Sequence, residues 1–140
     1  MKNAIISVVI FLSLLIAVIF INNSVLDLCD DIKDKTDEIE LILLDKDKEL
    51  AYDKSIELID FLKENDLITS IYVNHQDFDT LKNEAVKLSI YISHDDISEA
   101  NASLNVIKYG AETVKHLQKP GLDNIFKKIT ILLKIFILVI

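Results

Sequence analysis

Four side chains in this sequence have the types that could hold a metal ion. His75, Asp77 and Asp79 stand at alternate positions, and His116 can return to the same end of a helical bundle on a later helix. Imidazole nitrogens with carboxylate oxygens form a donor set suited to zinc and related divalent ions. The spacing matches no zinc signature, however. Asp77 also has a structural use, because as the third residue of a helix opened by Asn74 its carboxylate faces the positive end of the helix dipole. Capping is the stronger reading, so no metal or other cofactor is assigned. His94 follows His75 by 19 residues, about 28 Å along a continuous helix, and stays outside this group.

The turn His94-Asp95-Asp96 with Glu99 also gathers ligand types, but lacks the glycine and alternate spacing of a calcium loop. Asp96 and Glu99 fit a capping box instead. Hydrolysis would need a nucleophile beside a base and an oxyanion pocket. Serines and threonines are scattered, no glycine-rich turn presents one, and no phosphate loop is present. The expectation is that the protein is not an enzyme. Cys29 is the only cysteine, which excludes an intrachain disulfide. It falls on an apolar helical position and reads as a small core residue, with a disulfide between two copies as the alternative.

The elements that position these residues are helices. Two glycines and one proline in 140 residues are too few for the many corners of a sheet protein, and point to long helices with few connections. Ala4 to Ile21 forms an uncharged run of 18 residues. As a helix it is about 27 Å long, close to the roughly 30 Å hydrocarbon core of a bilayer. The run exceeds the usual core of a secretory signal and no small-x-small cleavage site follows, which favours an uncleaved anchor. Lys2 precedes it and Asp27, Asp30 and Asp31 follow. The positive-inside tendency then leaves the N-terminus cytoplasmic and the bulk of the chain outside.

Val25, Cys29, Ile32, Thr36, Ile39 and Leu43 continue from the anchor as one helical stripe with no breaker between. Asp45–Glu49 is the first candidate turn. A second helix is expected from about Leu50 to Tyr72, with Leu58, Ile59 and Leu62 as core and a kink at Asn65-Asp66. Asn74 caps a third helix, flanked by Val73 and Phe78 as a hydrophobic staple. Its stripe is Phe78, Leu81, Ala85, Leu88 and Ile92. The fourth stripe is Ile97, Ala100, Leu104, Ile107, Ala111 and Val114, interrupted by Gly110 and stopped by Pro120-Gly121. Ser103 and Lys108 lie off this stripe, so Ser103 is expected to be open to reagents and Lys108 to be replaceable at little cost.

The fold class is therefore all-α. A transmembrane anchor (1–22) continues into an antiparallel bundle of about four helices (23–121), followed by an apolar helical tail (122–140). Short connections make successive helices antiparallel, bringing Val73–Gln76 and Gln118–Gly121 to the membrane-proximal end. The tail, with Lys127, Lys128 and Lys134 among Ile, Leu, Phe and Val, reads as interfacial or partly inserted. Between Asp27 and Asp123 lie all 23 acidic residues against 11 lysines, a net of −12. Such a middle repels nucleic acid and anionic head groups, and reads as the solvated surface of a bundle.

The stretch Val73-Asn74-His75-Gln76-Asp77-Phe78-Asp79, the turn His94-Asp95-Asp96 and the segment Leu122-Asp123-Asn124-Ile125-Phe126, together with the short anchor, carry a resemblance. The chain resembles the uncharacterised family of low-GC Gram-positive, often spore-forming bacteria known as domain of unknown function 4363. The likeness runs up to Phe126. It departs in having no tryptophan and in continuing for a final apolar stretch. The resemblance implies an anchor and a bundle and supplies no activity. From the residues themselves, the expected role is a non-catalytic interaction or scaffold module outside the cytoplasm. Its expected partners are the lipid bilayer and another membrane protein, with a homodimer as a further option. An extracytoplasmic ligand or metal binder and a membrane-perturbing protein are the alternatives.

Overall fold

The computed structural model describes residues 2–119 together with Thr130 and Lys134. Five helices follow in order: α1 (Lys2–Leu44), α2 (Lys48–Glu64), α3 (Asp66–Tyr72), α4 (His75–Ser93) and α5 (Ile97–Gln118), with no strand among the described residues. The proline-glycine stop at 120–121 and, apart from Thr130 and Lys134, the apolar tail expected over 122–140 lie outside the described residues. α1 packs on α2 and α5, and α4 packs on the same two, so α1, α2, α4 and α5 close an up-down-up-down bundle with α1 diagonal to α4. Residues Ala4 to Ile21 of α1 precede this bundle. The helix is long and apolar enough to cross a bilayer, and none of its apolar window is buried within the molecule.

The core consists of the stripes. Val25, Cys29, Ile32, Thr36, Ile39 and Leu43 are all buried on α1, joined by Leu28. Leu58, Ile59 and Leu62 are buried on α2, as are the five stripe residues of α4 and Ala100, Leu104, Ile107, Ala111 and Val114 on α5. Ile97, the first residue of α5, is 37% exposed, because the helix begins above the last core layer. Gly110 has a packing role. A Cβ there would stand 2.5 Å from Leu81 Cδ2, and Leu81 is itself buried, so the glycine lets α5 lie close on α4.

A chain with so little glycine turns by the same device twice. Lys46 and Asp95 adopt φ of 61° and 64°, the left-handed conformation that terminates helices. Their N–H groups donate to Leu43 and Ile92 carbonyls, while those of Asp47 and Asp96 donate to Ile42 and Tyr91, which is the Schellman pattern. Asp47 and Asp96 then cap the following helices, accepting from the N–H groups of Leu50 (3.1 Å) and Glu99 (3.2 Å). Each three-residue connection ends one helix and starts the next. The expected kink at Asn65 is a break into α2 and α3. Asn65 Nδ2 donates to the Phe61 carbonyl and competes with the helix ladder there. Backbone bonds from Asn65 to Phe61 and from Thr69 to Asn65 carry the axis across.

Two expectations are overturned. Ser103 is buried rather than open, and its hydroxyl donates to Glu84 Oε2 at 3.1 Å across the α4–α5 contact. Lys108 is not a free surface lysine. Its ammonium lies between Asp37 and Glu40 of α1 with the side chain only 19% exposed. Burial taken alone would lower the Lys108 pKa, but the bonds from Asp37 and Glu40 together outweigh it and the net direction is up. With Asp30–Lys115 and Lys33–Glu112 (3.8 Å), this pair forms a ladder down the α1–α5 seam.

Leu104→Ala should destabilise the bundle by about 2–5 kcal/mol, the range for emptying a core leucine site. Lys108→Ala should cost about 1–2 kcal/mol, between an exposed ion pair and a buried charged hydrogen bond. The Lys108 contribution should be present below the ordinary lysine pKa and fade above it. Thermal melts at pH 7 and at pH 11 check both; a Lys108→Ala variant as stable as the parent at pH 7 would remove the ladder's role.

Candidate interaction surface and the proposed metal ligands

The four candidate ligands occupy the end of the bundle from which the apolar run of α1 extends, but do not converge. His75 opens α4 and is exposed, and His116 is exposed in the last turn of α5. Asp79 is paired with Lys82 at 2.8 Å, and Lys82 also holds Asp66 of α3 at 2.6 Å. The bond from Lys82 is the main cause that holds Asp79 below the usual carboxylate range; burial acts against it, and the positive charges of Lys82 and His75 assist. Asp77 is half-buried in the first turn of α4. Asn74 Oδ1 accepts from the Gln76 N–H at 3.3 Å, so the capping role read from this segment is the one its geometry serves. Among the described residues, no three His, Cys, Asp or Glu side chains gather where a metal ion would sit. His94 belongs to the distal turn, its Nδ1 beside Ser93 and the Ile90 carbonyl.

An open groove of about 420 Å³ runs between α4 and α5. Asp77, Thr80 and Leu81 line one side, and Val106, Tyr109, Gly110 and Thr113 the other. Tyr109 is 75% exposed and Val106 is also exposed. Both groove threonines spend their hydroxyl hydrogens on their own helices, Thr80 on the Gln76 carbonyl (2.8 Å) and Thr113 on that of Tyr109 (2.9 Å). Four of the core hydroxyls behave alike: Thr36, Ser55, Thr69 and Ser89 donate to carbonyls three or four residues back, while Ser103 reaches Glu84. The groove was missed by sequence reasoning. Its signal was present in the apolar and hydroxyl positions 106, 109 and 113, a second face beside the core stripe of α5.

Two further contacts fix the lower end of the bundle. Tyr72 Oη donates to the Val18 carbonyl at 3.4 Å, and Gln118 Nε2 donates to the Tyr72 carbonyl at 3.2 Å. The ends of α3 and α5 therefore meet beside the apolar run of α1, as the antiparallel reading required. Burial pushes the Tyr72 phenol pKa up. Cys29 is buried between α1 and its neighbours, and desolvation, aided by the Asp30 charge against the opposing Lys115, pushes its pKa up to about 11. Pairing of two chains through Cys29 would require this contact to open.

The fold defines the class: a four-helix bundle carried on a helix long enough and apolar enough to cross a membrane. Residues 19–125 match the family described as Domain of unknown function (DUF4363), and the chain belongs to that family. No curated protein and no solved structure matches it.

Cys29 gives a direct test of this packing. A thiol with a raised pKa favours folding while protonated, so stability should fall as pH rises from about 9, where an unfolded thiol ionises, toward about 11. In the native protein at pH 8, Cys29 should resist maleimide and react on denaturation. Rapid native labelling would contradict the burial.

Proposed function

We propose that this protein is a non-catalytic interaction module, presented outside the cytoplasm on its own transmembrane helix, that docks another membrane protein along the α4–α5 groove. The observation that carries the proposal is the groove itself, with Tyr109 and Val106 exposed over the closely packed Gly110. Tyrosine supplies a large amphipathic contact area at small entropic cost, and such side chains dominate binding at interfaces. The groove lies toward the lower half of the bundle, within reach of a partner that shares the bilayer. Its threonine hydroxyls are engaged with backbone carbonyls, which suits recognition better than nucleophilic chemistry. Lys2 before the apolar run and the acidic residues after it favour the outward orientation.

A photo-crosslinking side chain at Tyr109, irradiated in intact cells, should capture one discrete membrane protein. The same probe at Asp53 on α2, diagonal to α5, should capture none. Val106→Glu should abolish capture while leaving the melting temperature unchanged. Equal capture from both positions would refute the groove, and capture of cytoplasmic proteins would refute the orientation.

A further inference from the structure

α3 is apolar where a soluble bundle has no use for it. Leu67 is 75% exposed and Ile68 38% exposed, while Thr69 is buried, on a helix that packs chiefly against α1 and also touches α2 and α4. The level of these side chains relative to the apolar run follows from the register. Lys54 on α2 pairs with Glu38 on α1 at 3.3 Å. Because the two helices are antiparallel with about 1.5 Å rise per residue, Ile68 comes level with roughly Ser24 and Tyr72 with roughly Phe20. The Tyr72 bond to the Val18 carbonyl, inside the apolar run, agrees with that placement.

If Ala4–Ile21 fills the hydrocarbon core, its outer boundary lies at Ile21, and Ile68 and Leu67 stand about 5–6 Å beyond it. The polar layer of a bilayer extends about 5–7 Å past the hydrocarbon on each side. Both side chains therefore fall within the head-group layer, and the Tyr72 ring falls just on the hydrocarbon side of the boundary, close to the level at which tyrosine rings concentrate in membrane proteins.

We propose that α3 is a membrane-docking foot: Leu67 and Ile68 insert into the head-group layer of the bilayer that α1 crosses, with Tyr72 at the hydrocarbon boundary. The occupant of this face is lipid, because the helix against which α3 packs enters the bilayer beside it. Local charge permits the contact. Lys82 holds both Asp66 and Asp79, and Lys115 holds Asp30, so these acids near the foot are paired. Asp27, Asp31, Glu64 and Asp77 stand outside these pairs, which directs the foot to zwitterionic rather than anionic lipid. A bundle seated in this way stands on two supports, α1 and α3, and does not swing about the span. The inference rests on the span but not on the α4–α5 groove.

The test uses the full chain reconstituted in phosphatidylcholine vesicles. An environment-sensitive fluorophore is placed on Leu67→Cys or Ile68→Cys, with Val8→Cys inside the span and Leu44→Cys at the distal end as references. The native chain supplies the blank, since Cys29 is buried. Labels at positions 67 and 68 should emit to the blue of the Leu44 label. They should also be quenched about twofold more strongly by lipids bearing a nitroxide near the head group, as an interfacial depth requires. The Val8 label should respond best to a nitroxide deep in the chains. Position 67 or 68 behaving like position 44 would overturn the foot. So would protection from aqueous iodide without lipid quenching, which would mark a protein-covered face. An unquenched Val8 label would overturn the span and the foot together, whatever the groove binds.

Discussion

The structure depends on a single constraint: α1 must run without interruption from a segment long and apolar enough to cross a bilayer into the wall of a bundle. From Ala4 to Ile21 the helix carries no charge on any side, as a segment able to lie in lipid requires. From Val25 onward it is apolar on one stripe only, as a wall of a bundle in water must be. The change occurs over Asn22, Asn23 and Ser24 with no proline, glycine or break in the helix. Ser24 even donates back to the Phe20 carbonyl at 3.1 Å, keeping its hydroxyl within the helix. A continuous backbone ladder across this point couples the bundle to the apolar segment as one rod, where a flexible linker would have left them independent.

Given that rod, the rest of the bundle is arranged by what α1 offers along its length. Its core stripe accepts α2 and α5, and its charged flank sets their height. Asp30, Lys33, Asp37 and Glu40 meet Lys115, Glu112 and Lys108 in reverse order, which fixes α5 antiparallel in a single register. Hydrophobic burial supplies most of the stability and is indifferent to a slide of one turn along such stripes. The ion ladder is not indifferent, because a slide would place acids against acids. α4 then closes the bundle through small residues, with Gly110 and Ala85 allowing close approach and Ser103 bonded to Glu84.

Much of this was legible in the sequence because helical stripes and caps are local signals. Most residues of each core face, the Asp96 cap and the Asn74 start were readable from spacing, and the family from short motifs, whereas the Asp47 cap and the buried Leu28, Ala51 and Ser55 were not. What periodicity does not reveal is which neighbour a flanking residue meets. Lys108 reads as a polar-face lysine because nothing within its own helix discloses Asp37 and Glu40, many residues away in sequence. Ser103 reads as exposed because a hydroxyl beside an apolar stripe gives no sign of the carboxylate waiting on α4. The α2–α3 break depends on Asn65 turning its amide onto the Phe61 carbonyl, a choice that its type allows but does not dictate. The candidate ligands His75, Asp77, Asp79 and His116 were readable as types. Whether they converge depends on helix rotation, and the nearest partner of Asp79 is a lysine.

The continuity of α1 from the bilayer into the bundle is the central claim, and a distance measurement reaches it most directly. Nitroxide labels at Val8 and Leu44, in chains reconstituted into a bilayer, should lie about 54 Å apart on an unbroken helix. Pulsed electron-electron resonance should give one narrow distribution near that length. A broad distribution centred at clearly shorter distances would place a hinge at Asn22–Ser24 and contradict the account.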